Sequence, residues 1–297
     1  MLLKSQIFNN FSFKLILISS IFCVILSFFL SEFAQNLLIF SGILSFGIIH
    51  GANDILLLKK NTRNNDDSSL NLLIKYLAMV ISFGIFFYFI PFYALIFFVL
   101  FSSYHFGEHQ WTMFDNKGLK KLSFFYFSYG LFLFSLLFWI HSSQVSIVIE
   151  DITKFQIQLF FYDYLLIISF VLMFFSGFYN FKYILNQLFI QLILITLLSF
   201  IFYSTKLIYA FGIYFVFWHS IPSILEQSRY IYGKSDFKSI ISYLKNAFVY
   251  WLISLIGLFI IYFFMKDFQN LLISIFFSFL AAITFPHAVI IFKIKRN

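Results

Sequence analysis

Charge is what this 297-residue chain lacks most. Only 11% of its residues are Asp, Glu, Lys or Arg, against roughly a quarter in an ordinary soluble domain. That deficit excludes a soluble globular enzyme. Three prolines and 11 glycines exclude a loop-rich or disordered protein. The single cysteine, Cys23, excludes an intrachain disulfide and a cysteine-based metal site. No phosphate-cradling loop, dinucleotide fingerprint or nucleophile elbow is found. The first apolar run comes after a basic stretch, as in a signal peptide. No small-residue cleavage site comes after it, so an uncleaved first helix is expected.

What the chain does have is apolar surface. Hydrophobic residues make up 62% and aromatic residues 24%, with 50 Phe, and the mean hydropathy is +0.93. Ten apolar segments are predicted, at about 14–33, 37–58, 71–90, 92–112, 122–141, 157–178, 184–205, 207–227, 247–265 and 269–293. Each is close to the ~20 residues that an α-helix needs to cross a bilayer, and about twice the length of a barrel strand. They also lack the alternation of strands. The expected fold class is all-α: a polytopic integral membrane helix bundle of about ten transmembrane helices, with residues 1–297 as a single membrane domain.

Orientation comes from the basic residues. With the N-terminus inside and strict alternation, the inner set is Lys4, Lys14, Lys59, Lys60, Arg63, Lys75, Lys117, Lys120, Lys121, Lys182, Arg229, Lys234, Lys238, Lys245, Lys293, Lys295 and Arg296. The outer set is Lys154, Lys206 and Lys266. The split is 17 to 3, the sense of the positive-inside rule. Both termini are therefore expected to be cytoplasmic, in the cell (inner or plasma) membrane. The net charge of +8 is explained by these loops, and no nucleic-acid partner is expected.

The six histidines carry the chemistry: His50, His105, His109, His141, His219 and His287. An ionisable side chain in a membrane helix is costly and marks a functional site by default. His50, His105, His219 and His287 fall on four different segments that all run outside to inside. They precede the predicted inner ends at 58, 112, 227 and 293 by 8, 7, 8 and 6 residues, which is about 9–12 Å at 1.5 Å per residue. Four imidazoles thus share one expected layer, where they either serve as interhelical hydrogen-bonders or converge as metal ligands. With no thiolate at hand, convergence points to non-haem iron or copper.

The neighbours add detail. Asp54 is four residues after His50, one helical turn on and on the same face, and either orients an imidazole or pairs with Lys59 or Lys60 at the membrane edge. Gly51 and Ala52 would allow a close approach. His105 and His109 are spaced i, i+4; His109 is a reserve ligand or an outer partner, as is Glu108. Trp111 suits an interface anchor. Pro222 and Pro286 are expected to break the helices beside His219 and His287. His141 is expected at the outer interface, away from the layer. Asp163, Asn186, Gln187 and Gln191 fit helix-to-helix hydrogen bonding.

At these motifs the chain resembles the Brp/Blh family of membrane-bound β-carotene dioxygenases. The matching segments are His50-Gly51-Ala52…Asp54, His105-Phe106-Gly107, Tyr214-Phe215…Trp218-His219-Ser220 and Pro286-His287, in the family's order and spread over nearly the whole chain. The resemblance implies oxidative cleavage of the central double bond of β-carotene with O₂, giving two retinal molecules at histidine-bound Fe(II). It implies His50, His105 and His219 as ligands, with His287 helping, and a retinal product that a rhodopsin can receive. It also implies a lipid-dissolved substrate entering sideways, with Phe106, Tyr214 and Trp218 as candidates for the tunnel wall. One departure stands out: the family usually carries another histidine four residues after His219, and here that position is Ser223. Either another histidine completes the site, with His287 first by depth and His109 next, or the fourth iron position is left to water, or the activity has been lost.

Two other classes compete. A proton, ion or metal transporter also uses intramembrane histidines, but would show repeats and a polar path across the membrane. A di-iron desaturase or hydroxylase would carry several HxxxH and HxxHH clusters, whereas this chain has one HxxxH and no HxxHH.

Overall fold

A computed structural model describes residues 11–61, 68–114, 120–265 and 272–296. Lys4, Arg63, Lys117 and Lys266 of the topology argument lie outside the described residues. The described chain is helical, with no strand among the described residues. In order, the helices are α1 (Phe11–Phe29), α2 (Glu32–Gly42), α3 (Ile48–Ala52), α4 (Asp54–Asn61), α5 (Ser69–Phe89), α6 (Pro91–Thr112), α7 (Ser123–Ile140), α8 (Ser142–Thr153), α9 (Phe160–Tyr179), α10 (Phe181–Ser204), α11 (Leu207–Ile213), α12 (Ile221–Tyr232), α13 (Phe237–Met265) and α14 (Leu272–Arg296). Two π-helical stretches, Ile43–Gly47 and Tyr214–Ser220, join α2 to α3 and α11 to α12.

Among the described residues, nine helices are long and apolar enough to cross a membrane. The protein is a polytopic helical membrane bundle. The one predicted segment not among these nine, 92–112, is present as α6, with 22 residues. Its last turns carry His105, Glu108, His109 and Gln110, and these polar groups lower its mean hydropathy. Ser142–Thr153, missed in the sequence, is a helix of 12 residues. At 1.5 Å per residue it is about 18 Å long, too short for a ~30 Å hydrocarbon core.

Capping and proline explain several boundaries. Ser31 and Ser68 accept from the backbone N–H groups of Ala34 and Asn71 and start α2 and α5. Asp236 caps α13 by accepting from the Ser239 N–H, 2.9 Å, and the Ser239 hydroxyl, 2.6 Å. Pro91 opens α6, where its missing N–H costs nothing. Pro286 lies within α14 and does not end it, contrary to the expected break. Helix α14 packs against α5 and α4, and packing against neighbouring helices lets a spanning helix tolerate a proline.

The chain forms two compact units. The first holds the described parts of Met1–Ile43, Ser102–Val145 and Gln158–Pro222. Its helix α7 is largely buried, with 11 buried residues among 18. Gly107 of α6 and Gly130 of α7 let two backbones meet: a Cβ on Gly107 would lie 1.9 Å from the Tyr126 carbonyl oxygen. Gln191 of α10 binds the same region, donating to the Gln110 carbonyl at 3.2 Å and accepting from the Tyr129 hydroxyl at 3.3 Å. Asp163 accepts from the Trp139 indole at 2.7 Å. These bonds are the helix-to-helix role expected of Gln191 and Asp163. Trp111, expected at an interface, is instead buried edge-on against Phe125 and Tyr129.

The second unit holds Leu44–Phe101, Ser146–Ile157 and the described parts of Ser223–Asn297. One of its apolar clusters joins Phe83 and Phe87 of α5 to Ala281 and Ala282 of α14, with Phe285 stacked on Phe83 at 4.4 Å. A second joins Ile55, Leu58, Leu72 and Ile290. Together they clamp α14 along α5 and set the position of His287.

Candidate metal centre

Each unit builds a histidine cluster. In the first unit, α6 supplies His105 and His109, and the π-helical stretch after α11 supplies His219. The His219 ring lies 4.9 Å from that of His105 and 4.7 Å from that of His109, centroid to centroid, and both contacts are edge-on. All three histidines are buried. The i, i+4 spacing thus puts two imidazoles against a third on another helix.

The π-helical stretch explains how His219 reaches that place. A π turn inserts one residue and rotates the rest of the helix about its axis. The Ile221 N–H bonds the Val216 carbonyl, five residues back. Pro222 then lacks an N–H of its own, and the Ser220 hydroxyl donates to the Phe215 carbonyl at 2.8 Å. The disturbance expected at Pro222 is therefore present. Phe106 stacks on His219 at 4.2 Å and 25°, and packs against Tyr214 at 5.6 Å. Trp218 is fixed by its indole N–H to the Ser20 hydroxyl, 2.8 Å. Phe106, Tyr214 and Trp218 are all buried around this cluster.

In the second unit, α3 supplies His50 and α14 supplies His287. Their rings meet edge-on, 4.7 Å apart at 82°. Asp54 does not continue from His50 around an unbroken helix. The chain breaks at Asn53, whose φ of −96° and ψ of 14° end α3 before α4 begins. The buried Asp54 carboxylate lies 2.8 Å from His287 Nδ1. Its partner is therefore the imidazole of a distant helix, with neither the i, i+4 reach to His50 nor a membrane-edge Lys needed to account for its burial. The Tyr76 hydroxyl interacts with the same carboxylate.

Ser223 is part of a buried hydrogen-bond chain. Gln227 Nε2 donates to its hydroxyl at 2.9 Å. The Tyr243 hydroxyl lies 2.7 Å from Gln227 Oε1 and 3.0 Å from the His50 carbonyl. Asn53 Nδ2 donates back to the Tyr243 carbonyl at 2.9 Å. The chain runs from the position where the resembled family carries a histidine to the backbone of His50. Nothing in the sequence signalled Tyr76, Gln227 or Tyr243; their roles depend on contacts across long sequence separations. Glu108, expected to orient an imidazole, accepts from the Tyr104 hydroxyl at 2.8 Å. His141 caps the C-terminus of α7, outside both clusters.

The donor set suits a metal. His50 and His287 of the second unit and His219 of the first are each buried, and each offers a ring nitrogen that suits a metal. Imidazole suits iron, copper and zinc, and a carboxylate behind a ligating imidazole fixes its orientation. Cys23, the only thiol, is buried in α1 beside Tyr209, whose hydroxyl donates to the Cys23 carbonyl.

A cavity of about 120 Å³ opens beside the second cluster, with mostly apolar walls. His50, Gly51, Asp54 and His287 form one side, α5 and α13 the others.

Among curated proteins and among solved structures, none matches the chain at a significant level. One family model does, beta-carotene 15,15'-dioxygenase, over residues 41–295. That match takes in both histidine clusters and most of the chain, so the chain belongs to the β-carotene 15,15'-dioxygenase family.

Proposed function

We propose that this protein cleaves the central double bond of β-carotene with O₂ to give two retinal molecules, using iron held by histidines. The carrying observation is the family match across residues 41–295, which spans every histidine of the two clusters. In the balanced reaction the carbon–carbon double bond breaks, and both atoms of O₂ leave as the two aldehyde oxygens.

His50, His105, His219 and His287 are the proposed ligands of Fe(II), with His109 in reserve. Iron bound there would supply the spin-allowed activation of O₂ that an alkene alone lacks. The protein's own residues do the rest. Asp54 engages His287 at Nδ1 and leaves Nε2 as the nitrogen that would ligate. The chain from Ser223 through Gln227 to Tyr243 holds the His50 backbone where α3 ends. Phe106, Tyr214 and Trp218 exclude water and present aromatic faces, which stabilise cation-like charge developing along a polyene. Retinal released into the lipid of the cell membrane is the proposed supply for a rhodopsin.

Expression in cells that make β-carotene tests the reading. The expected result is loss of orange colour with retinal in the extract. His50→Ala, His105→Ala and His219→Ala should abolish retinal while the protein still accumulates in membranes. His109→Ala should retain part of the activity. Persistent β-carotene at good levels of the wild-type protein would overturn the proposal.

A further inference from the structure

The cavity beside His50 and His287 has a graded wall. Its floor is the two imidazoles, both buried. Its rim is apolar and exposed: Leu77 of α5 is 42% exposed and Ile253 of α13 is 53% exposed. Almost none of α13 is buried, so the rim faces the surface that an apolar spanning helix gives to lipid. Gly51 lines the inner end, where a Cβ would meet the His287 ring at an ordinary contact distance of 3.6 Å.

Size sets what can enter. A cavity of about 150 Å³ lined by apolar side chains binds a benzene-sized ligand. This cavity, at about 120 Å³, holds a slim stretch of hydrocarbon and continues outward through its open side. A ligand arriving through an apolar rim must already be dissolved in lipid.

Resting on the function proposed above, we propose that this cavity seats the conjugated chain on one side of the bond that is cleaved, and that Leu77 and Ile253 form its lateral mouth. The polyene enters between α5 and α13 and passes Gly51 to reach the imidazoles. Substrate width is then sensed at Leu77 and Ile253, which sequence motifs did not mark.

The buried state of Cys23 (2% exposed) makes a thiol test specific. Leu77→Cys and Ile253→Cys each introduce one accessible thiol into a chain that folds before it is modified. Ile256→Cys, 50% exposed on α13 and outside the cavity, is the control. Each is labelled in membranes with a small and then a bulky lipid-soluble methanethiosulfonate. Labelling rate, bound metal and β-carotene turnover are measured. Bulky labels at positions 77 and 253 should lower turnover at least tenfold, with metal content unchanged and full recovery on reduction. Added β-carotene should slow labelling there at least threefold, and neither effect should appear at position 256. Wild-type turnover after complete labelling at both rim positions would overturn the cavity assignment while leaving the dioxygenase reading intact. Protection by β-carotene in a protein that forms no retinal would uphold the cavity and sink the reaction. Absence of both protection and inhibition sinks the cavity whatever the activity.

Discussion

Asp54 and His287 are 233 residues apart in sequence and 2.8 Å apart in space. A buried carboxylate facing one ring nitrogen fixes the tautomer and the plane of the imidazole, and such partners commonly contribute 10–100-fold to metal affinity. Asp54→Asn keeps the shape and removes the charge. It should weaken iron retention by about 10–100-fold, measured as metal per protein after timed exposure to a chelator, while His109→Ala loses less. Tyr243→Phe removes one hydroxyl between Gln227 and the His50 carbonyl. A partial loss of retinal formation with near-normal protein yield is expected, and a yield falling in step with activity would mean the hydroxyl serves folding only. The histidines and Asp54 stand out in sequence because ionisable groups are rare in apolar runs. Their pairing does not, because Asn53 ends α3 and turns Asp54 toward α14. Trp111 shows the same limit: a Trp near a predicted helix end suits an interface, and only the packing of α7 reveals that it is buried.

The resembled motif His105-Phe106-Gly107 has two kinds of residue with different jobs. Gly107 matters to the contact between α6 and α7, not to the metal. A Cβ there would sit 1.9 Å from a backbone carbonyl oxygen that α7 cannot move aside. Overpacking of a core costs about 1–3 kcal/mol when side chains can yield; here the backbone itself would have to shift. Gly107→Ala should therefore lower the thermal midpoint of detergent-extracted protein by many degrees or abolish folding. Gly84→Ala is the matched control, since a Cβ at Gly84 meets nothing within 4 Å, and should leave the midpoint unchanged or slightly raised. Helix positions were legible from the runs of apolar residues, which match the observed helices to within a few residues except at α13, where the helix begins ten residues before the predicted start. The π-helical stretches were not, because an inserted residue leaves no mark in hydrophobicity. Pro222 was the one visible hint of the second, and Pro286, chemically identical, sits inside an unbroken helix.

At the scale of the whole molecule, the aromatic excess divides between two roles. Some Phe rings build the histidine surroundings, as Phe106 does on His219. Many others lie outside, such as Phe174, Phe175 and Phe178 on α9, all more than half exposed, where a lipid-facing surface accommodates them. The sorting of charge has a sharper consequence. His105 meets His219 within one unit and His50 meets His287 within the other. Side-by-side rings require each pair to lie at a common depth, which parallel helices running outside to inside provide at similar distances from their inner ends. A shared direction needs an odd number of crossings between the two helices of a pair, and the expected topology has three between those of His105 and His219 and seven between those of His50 and His287. The short helix α8 does not disturb the count, because about 18 Å of helix cannot cross. Reporter fusions test it: a fluorescent protein after Asn297 should fluoresce and alkaline phosphatase there should be inactive, while phosphatase inserted at Lys154 or Lys206 should be active. An active phosphatase at the C-terminus, with the N-terminus inside, would mean an odd number of crossings and would break the shared direction of the helices that carry the histidines.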